Sequence, residues 1–158
     1  DATNESAVDK IYSLKKRKDE KSMIMLLDSD TKLSLYVNQI PGMALELIRV
    51  ADKPLTIIYP EAKNIARNLI SDDGSVGIRI VSDDFCNILI SRFGKPIVST
   101  SANISGSVWP ANFSDIDHTV IESVDYVVKW RQYETSGGRP SGIIKVELNG
   151  GVKVIRTP

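Results

Sequence analysis

Residues 83–106 read DDFCNILISRFGKPIVSTSANISG. Asp83 can cap a helix whose apolar positions are Cys86, Leu89, Ile90 and Phe93. Gly94 stops that helix. Pro96-Ile97-Val98 reads as a short strand of the buried type, and it runs straight into Ser99-Thr100-Ser101-Ala102-Asn103-Ile104-Ser105-Gly106. A helix, a stop, a strand and a hydroxyl-rich bend in so short a span place helical and strand periods side by side, which is the mark of an α/β chain.

The alternation continues in both directions. Towards the N-terminus, Asn4 can cap a helix that carries Ala7, Val8, Ile11 and Leu14 and ends in Lys15-Lys16-Arg17-Lys18. Met23 to Leu27 has strand length and can be buried on both faces. Further helices are expected over Lys32–Val37, along Met43, Leu47 and Val50 after the Pro41-Gly42 turn, and along Ala62, Ile65, Ala66 and Leu69. Strands are expected over Leu55–Tyr59 and Val76–Val81. Beyond the bend, the chain reads as loop to Asn112, then a weak helix over Ser114–Ser123. Strands follow at Tyr126–Trp130, Ile143–Leu148 and Val152–Ile155, the last two joined by the hairpin signal Asn149-Gly150-Gly151. The sum is α/β, with a mixed, twisted sheet and an antiparallel element on the C-terminal side.

Composition narrows the classes. With 158 residues the chain suits one domain and buries a core without staples. Lys plus Arg is 20 and Asp plus Glu is 20. A zero balance argues against a generic nucleic-acid coat, which needs a one-signed field, but it permits a local basic pocket. One Cys and one His exclude a disulfide framework within the chain and a Cys/His zinc site, and a reducing compartment is expected. No apolar run approaches about 18 residues, so no membrane span is expected, and the opening Asp1-Ala2-Thr3-Asn4-Glu5 is no signal peptide.

Three stretches could carry chemistry. Lys15-Lys16-Arg17-Lys18 is either a solvated helix cap or a clamp for polyphosphate, with Lys as a point charge and Arg as a two-pronged fork. Ser99 to Gly106 follows the end of a strand, where ligands of open α/β sheets bind, and its hydroxyls and amide can donate to phosphate, ribose or carboxylate oxygens; an ordinary polar turn explains it equally well. Gly137-Gly138-Arg139-Pro140-Ser141-Gly142 lets a backbone approach a ligand, yet it matches neither the P-loop nor the dinucleotide spacing. Of the remaining residues, His118 reads as a surface histidine and Cys86 as core. Trp109, next to Pro110, could stack on a base, with a role as loop anchor in the core preferred.

Together these pieces resemble the YrdC-like family of threonylcarbamoyl-AMP synthases. Asp1-Ala2-Thr3-Asn4 with Ala7-Val8 and Ile11-Tyr12 looks like its first helix, and Lys15-Lys16-Arg17 matches its Lys-x-Arg motif. Lys53-Pro54-Leu55-Thr56 resembles the end of a Pro-Gly-Pro-Leu-Thr segment, and Val76-Gly77-Ile78-Arg79 a Gly-x-Arg strand. Pro96 to Gly106 is very like its Ser-x-Asn motif, the most specific match, while Pro140-Ser141 and Val154-Ile155-Arg156 fit its last landmarks.

The resemblance implies one YrdC-like domain over residues 1–158, a twisted mixed sheet with helices around a concave, positively charged cavity. It implies synthesis of threonylcarbamoyl-AMP and pyrophosphate from L-threonine, bicarbonate and ATP with Mg²⁺, for threonylcarbamoyladenosine in tRNA. A cytoplasmic location and tRNA or tRNA-modifying proteins as partners go with it. The alternative is a non-catalytic nucleotide- or RNA-binding member of the same fold. Carried over by position, Lys15, Arg17, Thr56, Ser101, Asn103 and Arg156 would hold ATP, and Ser99, Ser141 and Arg79 would face threonine or its carbamate. The family's opening strand and its Pro-Thr-Asp-Thr-x-Tyr-Gly segment do not precede Asp1, so the chain is expected to start late in the family pattern. Asp52-Lys53 stands for Pro-Gly, Ile80-Val81 where a Pro is usual, Ser141-Gly142 for Ser-Thr, and Ser22 for the Pro after the Lys-x-Arg segment.

Overall fold

The structure is a computed structural model that describes residues 1–16, 23–135, 138 and 140–157. Helix α1 (Glu5–Lys15) starts as the sequence predicts: Asn4 is extended and its side chain accepts a hydrogen bond from the Ala7 N–H. It closes on Lys16, a left-handed cap at φ 48°. There follow β1 (Ile24–Leu27), α2 (Leu33–Tyr36), α3 (Gly42–Val50), β2 (Leu55–Tyr59), β3 (Val76–Ile80), α4 (Asp84–Phe93), β4 (Ile97–Ser99), α5 (His118–Glu122), β5 (Gly142–Val146) and β6 (Val152–Arg156).

The strands of the described residues form one mixed sheet in the order β4-β1-β3-β2-β5-β6. β1 runs parallel to β3 and β2 parallel to β5; the other neighbours are antiparallel. Register settles which side chains share a face, because alternate residues of a strand point opposite ways. Ile24 pairs with Gly77 and Leu26 with Arg79. Ile24 also pairs with Ser99, Thr56 with Ile143, and Ile143 with Arg156. Ile58, two residues from Thr56, pairs with Gly77. Arg79, Ser99, Thr56 and Arg156 therefore belong to one face.

The other face is the main core. Met25, Leu27, Ile57, Tyr59, Val76, Ile78, Ile144 and Val146 are buried there against Val8 and Tyr12 of α1, Leu33 of α2 and Ala44 of α3. Side chains of this kind are worth about 1.5–3 kcal/mol each when fully buried. The first face is covered only in part. Leu26, Val81 and Ile90 form a small cluster with Ile24, Cys86 and Ile97, and this seats α4 near the β4–β1 side. The rest of that face floors a cavity.

Several expected elements differ. Ala62, Ile65, Ala66 and Leu69 do not form a helix: only Arg67–Leu69 makes a 3-10 turn, and Glu61 and Asn64 are left-handed at φ 53° and 55°. The backbone groups that a helix would use are taken elsewhere, Ala62 N by Gly74 O, Lys63 N by Tyr36 O and Ala66 N by Ala2 O. Tyr126–Trp130 is no strand and stands outside the sheet; Trp130 instead stacks on Phe85, with ring centroids 6.4 Å apart. The expected helix over Lys32–Val37 is a 3-10 turn at Asp30–Lys32 followed by α2, and that over Ser114–Ser123 shrinks to α5 behind a 3-10 turn at Phe113–Asp115. β4 is a partly exposed edge strand, and Leu89 and Phe93 of α4 face outwards, because α4 packs over a sheet margin through Ile90 and Cys86. The hairpin holds: Glu147 N donates to Gly151 O at 2.9 Å and Gly150 takes φ 86°. No described helix is long and apolar enough to cross a membrane.

Candidate functional site

A cavity of about 860 Å³ opens over the less covered face. Lys15, Arg79, Ser99, Ser101, Asn103, Ser141 and Arg156 all line it. Residues up to 141 positions apart in sequence thus meet on one wall, as the motif order implies. Thr56 stands behind that wall, with Oγ1 2.9 Å from Ser141 Oγ. Arg17, Lys18, Lys21, Ser22, Gly137 and Arg139 lie outside the described residues. Among the described lining residues there are three cations and no carboxylate. A smaller cavity of about 280 Å³, between α3 and the core face of β2 and β3, holds none of the predicted site residues.

The polar residues buried among those described are Lys15, Thr56, Ser75, Asn103 and Ser141. Ser75 is satisfied locally by Asp73. The other four are predicted site residues, and buried polar groups persist only when they are paired. Lys15 ends α1 and is only 3% exposed. Its Nζ donates to Ser101 O at 2.5 Å and to Asn103 O at 2.6 Å. The Lys15 carbonyl in turn accepts from Ser105 N at 2.9 Å. The helix end and the bend are thereby bound in both directions. Asn103 Nδ2 donates to Ser107 O at 2.8 Å, which closes the bend on itself.

A second part of the lining is built around Ser141. Its carbonyl accepts from Arg156 Nε at 3.1 Å and Nη2 at 2.8 Å, so the guanidinium from the end of β6 is held in one orientation. The Arg156 guanidinium carbon lies 5.8 Å from the Trp109 ring centroid, a cation–π contact. Arg79 reaches the same cavity from β3. Burial pushes its pKa below the ordinary guanidinium value, and no hydrogen bond or ion pair engages its side chain among the described residues. A half-buried guanidinium without a counter-charge is costly, and an anion in the cavity would offset that cost.

Two expectations change here. The bend follows an antiparallel edge strand, and its cavity lies on the face of the sheet, not beyond the ends of parallel strands. Trp109 is not a core anchor: it is 48% exposed and forms part of the cavity wall. Ser107 and Asn112 join that wall without having been singled out; the only signal in the sequence was their closeness to Gly106. His118 is exposed as expected. Cys86 is half-buried beside Ile90, and burial raises its thiol pKa.

One mixed sheet, packed on one face and only partly covered on the other, where cations and hydroxyls line a cavity, defines an α/β protein with a polar cavity on the face of its sheet. The chain belongs to the Sua5/YciO/YrdC family: residues 1–157 match the family model described as "Telomere recombination". It is 31% identical over 157 residues to a threonylcarbamoyl-AMP synthase of Pseudoalteromonas translucida (strain TAC 125), an alignment spanning 96% of this chain and 81% of that protein. A crystal structure of P. abyssi Sua5 complexed with L-threonine superposes with a TM-score of 0.73 at 26% identity, over 92% of this chain and 42% of that one. The chain therefore spans less than half of that Sua5. E. coli YciO shares the fold with a TM-score of 0.80 at 20% identity, over 98% of this chain and 74% of that one.

Proposed function

We propose that this chain makes threonylcarbamoyl-AMP and pyrophosphate from L-threonine, bicarbonate and ATP, as a step towards threonylcarbamoyladenosine in tRNA. The observation that carries the reading is the cavity wall itself. A hydroxyl-and-amide bend tied down by the buried Lys15 lines one cavity with Arg79 and Arg156, and Arg79 lacks a protein partner among the described residues. The family membership and the names of the relatives support the choice of substrates.

The chemistry needs no protein nucleophile. Threonine's amine and bicarbonate give a carbamate and water. A carbamate oxygen then attacks the α-phosphorus, a new P–O bond forms, and the bond to pyrophosphate breaks with its electron pair leaving on the pyrophosphate. Negative charge grows on the leaving group, so pre-placed cations lower the barrier without reorganising. Arg156 and the Ser101–Asn103 bend are assigned to the nucleotide, with Arg17 joining them on its motif match. Thr56 acts through its bond to Ser141. Ser99, Ser141 and Arg79 are assigned to threonine or its carbamate. No group of three or more His, Cys, Asp or Glu suited to a metal occurs among the described residues. A Mg²⁺ ion brought in with the triphosphate would supply charge neutralisation there.

The test is pyrophosphate release by the full-length protein with ATP, Mg²⁺ and bicarbonate. The expected result is release only when L-threonine is added. Release that ignores threonine, or none at all, contradicts the proposal. Tight, salt-sensitive tRNA binding without ATP turnover would turn the assignment towards a binding role.

A further inference from the structure

We propose that Trp109, backed by Arg156, is the platform on which the purine base of the nucleotide stacks. This rests on reading the cavity as the ATP site and adds the base subsite to it. Trp109 lies three residues beyond Gly106, on the loop that leaves the Ser101–Asn103 bend. Its ring lines the same cavity as the bend, and the residue is 48% exposed.

A large aromatic surface left bare inside a concave polar wall is the kind of surface a flat apolar ligand covers. Arg156 covers part of the ring at 5.8 Å from its centroid. Two hydrogen bonds to the Ser141 carbonyl hold that guanidinium in place, so it cannot swing away to leave the indole unsupported. With the guanidinium held over it, the indole is a pre-set surface, which lowers the ordering cost of binding. Asn112 lines the cavity close by. Its carbonyl oxygen accepts from Ser114 N at 3.0 Å and Ser114 Oγ at 2.6 Å, which leaves the amide N–H groups to meet a ring nitrogen. Neither threonine nor a bare polyphosphate offers a π-face to this ring. A purine does, and stacking tolerates either purine because every base has such a face.

The chain's other tryptophan, Trp130, is stacked on Phe85 away from the cavity, so Trp130→Phe leaves Trp109 as the sole indole reporter. In that variant of the full-length protein, ATP is expected to quench tryptophan fluorescence, while inorganic tripolyphosphate binds without quenching. By calorimetry, Trp109→Ala is expected to weaken ATP roughly tenfold to a hundredfold and to leave tripolyphosphate affinity unchanged. Trp109→Phe should recover part of the loss, and Trp109→Leu none. Unaltered melting temperatures show that the loop variants are folded.

If ATP binds but neither quenches nor responds to Trp109→Ala, the platform is wrong and the ATP site stands. If Trp109→Ala weakens ATP and tripolyphosphate equally, the ring acts only by propping up Arg156, and the platform is again wrong. If neither ligand binds the unaltered protein, the platform falls together with the ATP site.

Discussion

Lys15 and Arg79 are both cations on the wall of one cavity, yet removing them should have opposite consequences. Lys15 Nζ is committed to the carbonyls of Ser101 and Asn103. Lys15→Met leaves two oxygens of the bend without their donor, and charge-assisted bonds of this sort are worth about 1.5–3 kcal/mol. Urea unfolding should therefore show a loss of about that size, together with weaker nucleotide binding as the bend loosens. Lys15→Arg should rescue little, since a planar fork cannot replace a compact ammonium between two carbonyls. Arg79 has no such partner among the described residues, and its burial is a cost to the fold. Arg79→Met should leave stability unchanged or slightly raised while weakening substrate binding roughly tenfold or more, the value of one charge-assisted bond to an anion. A variant that unfolds more easily instead would show that Arg79 is structural. The sequence could name both residues through their motifs. It could not separate them, because the difference lies in two backbone carbonyls 86 and 88 positions away from Lys15.

At the scale of elements, what was legible follows from local chemistry. Asn4 before α1, Asp83 before α4, Gly94 after it and the Asn149-Gly150-Gly151 turn each act within a few residues, and the structure bears each of them out. What failed was decided at long range. The Ala62–Leu69 stripe has helical spacing and does enter the core, but its backbone is recruited by Gly74, Tyr36 and Ala2. Tyr126–Trp130 has strand composition but pairs with no strand of the sheet, and its Trp130 stacks on Phe85 of α4 instead. The cavity's place on a sheet face depends on strand order, which no local pattern encodes. The turn into β3 gives a case where an element is held by charge. Asp73 accepts from Lys145 of β5 at 2.5 Å and from the Ser75 hydroxyl at 2.5 Å. These bonds, the Lys145 one foremost, hold its pKa down at about 2. A depressed carboxylate contributes above its unfolded value of roughly 4, and the contribution fades as pH falls through about 2. Both partners are partly exposed, so its worth is at most about 1 kcal/mol. Asp73→Asn should lower the melting temperature by a few degrees at pH 7, and the gap to the unaltered protein should close below pH 2. A gap that persists at that pH would mean the turn is held by hydrogen-bond geometry alone.

For the whole molecule, the zero net charge hides an uneven arrangement. The surface carries paired charges: Lys32 with Asp28, Arg49 with Glu46, Lys95 with Asp1, Arg131 with Asp83 and Glu134, Lys145 with Asp73. Arg79 and Arg156 belong to none of these pairs, and both line the face of the sheet that lacks a full helical layer. The part of the molecule with the least apolar packing is thus also the part where positive charge is left uncompensated by carboxylates among the described residues. An anion that fills it should stabilise the entire fold, because it binds the folded state and has no equivalent site in the unfolded chain. At a ligand concentration a hundredfold above Kd the gain is about 2.7 kcal/mol, and for a domain of this size each kcal/mol moves Tm by roughly 2–4 °C. Inorganic tripolyphosphate should therefore raise Tm by about 5–11 °C, well beyond sodium chloride at the same ionic strength. Arg79→Met should reduce that rise without lowering the Tm of the ligand-free protein. The rise should also survive moderate salt better than a surface ion effect, since charges set into a concave wall are screened less than exposed ones. A shift no larger than that of sodium chloride would mean that the open face of the sheet does not collect anions, and the functional assignment built on it would fail with it.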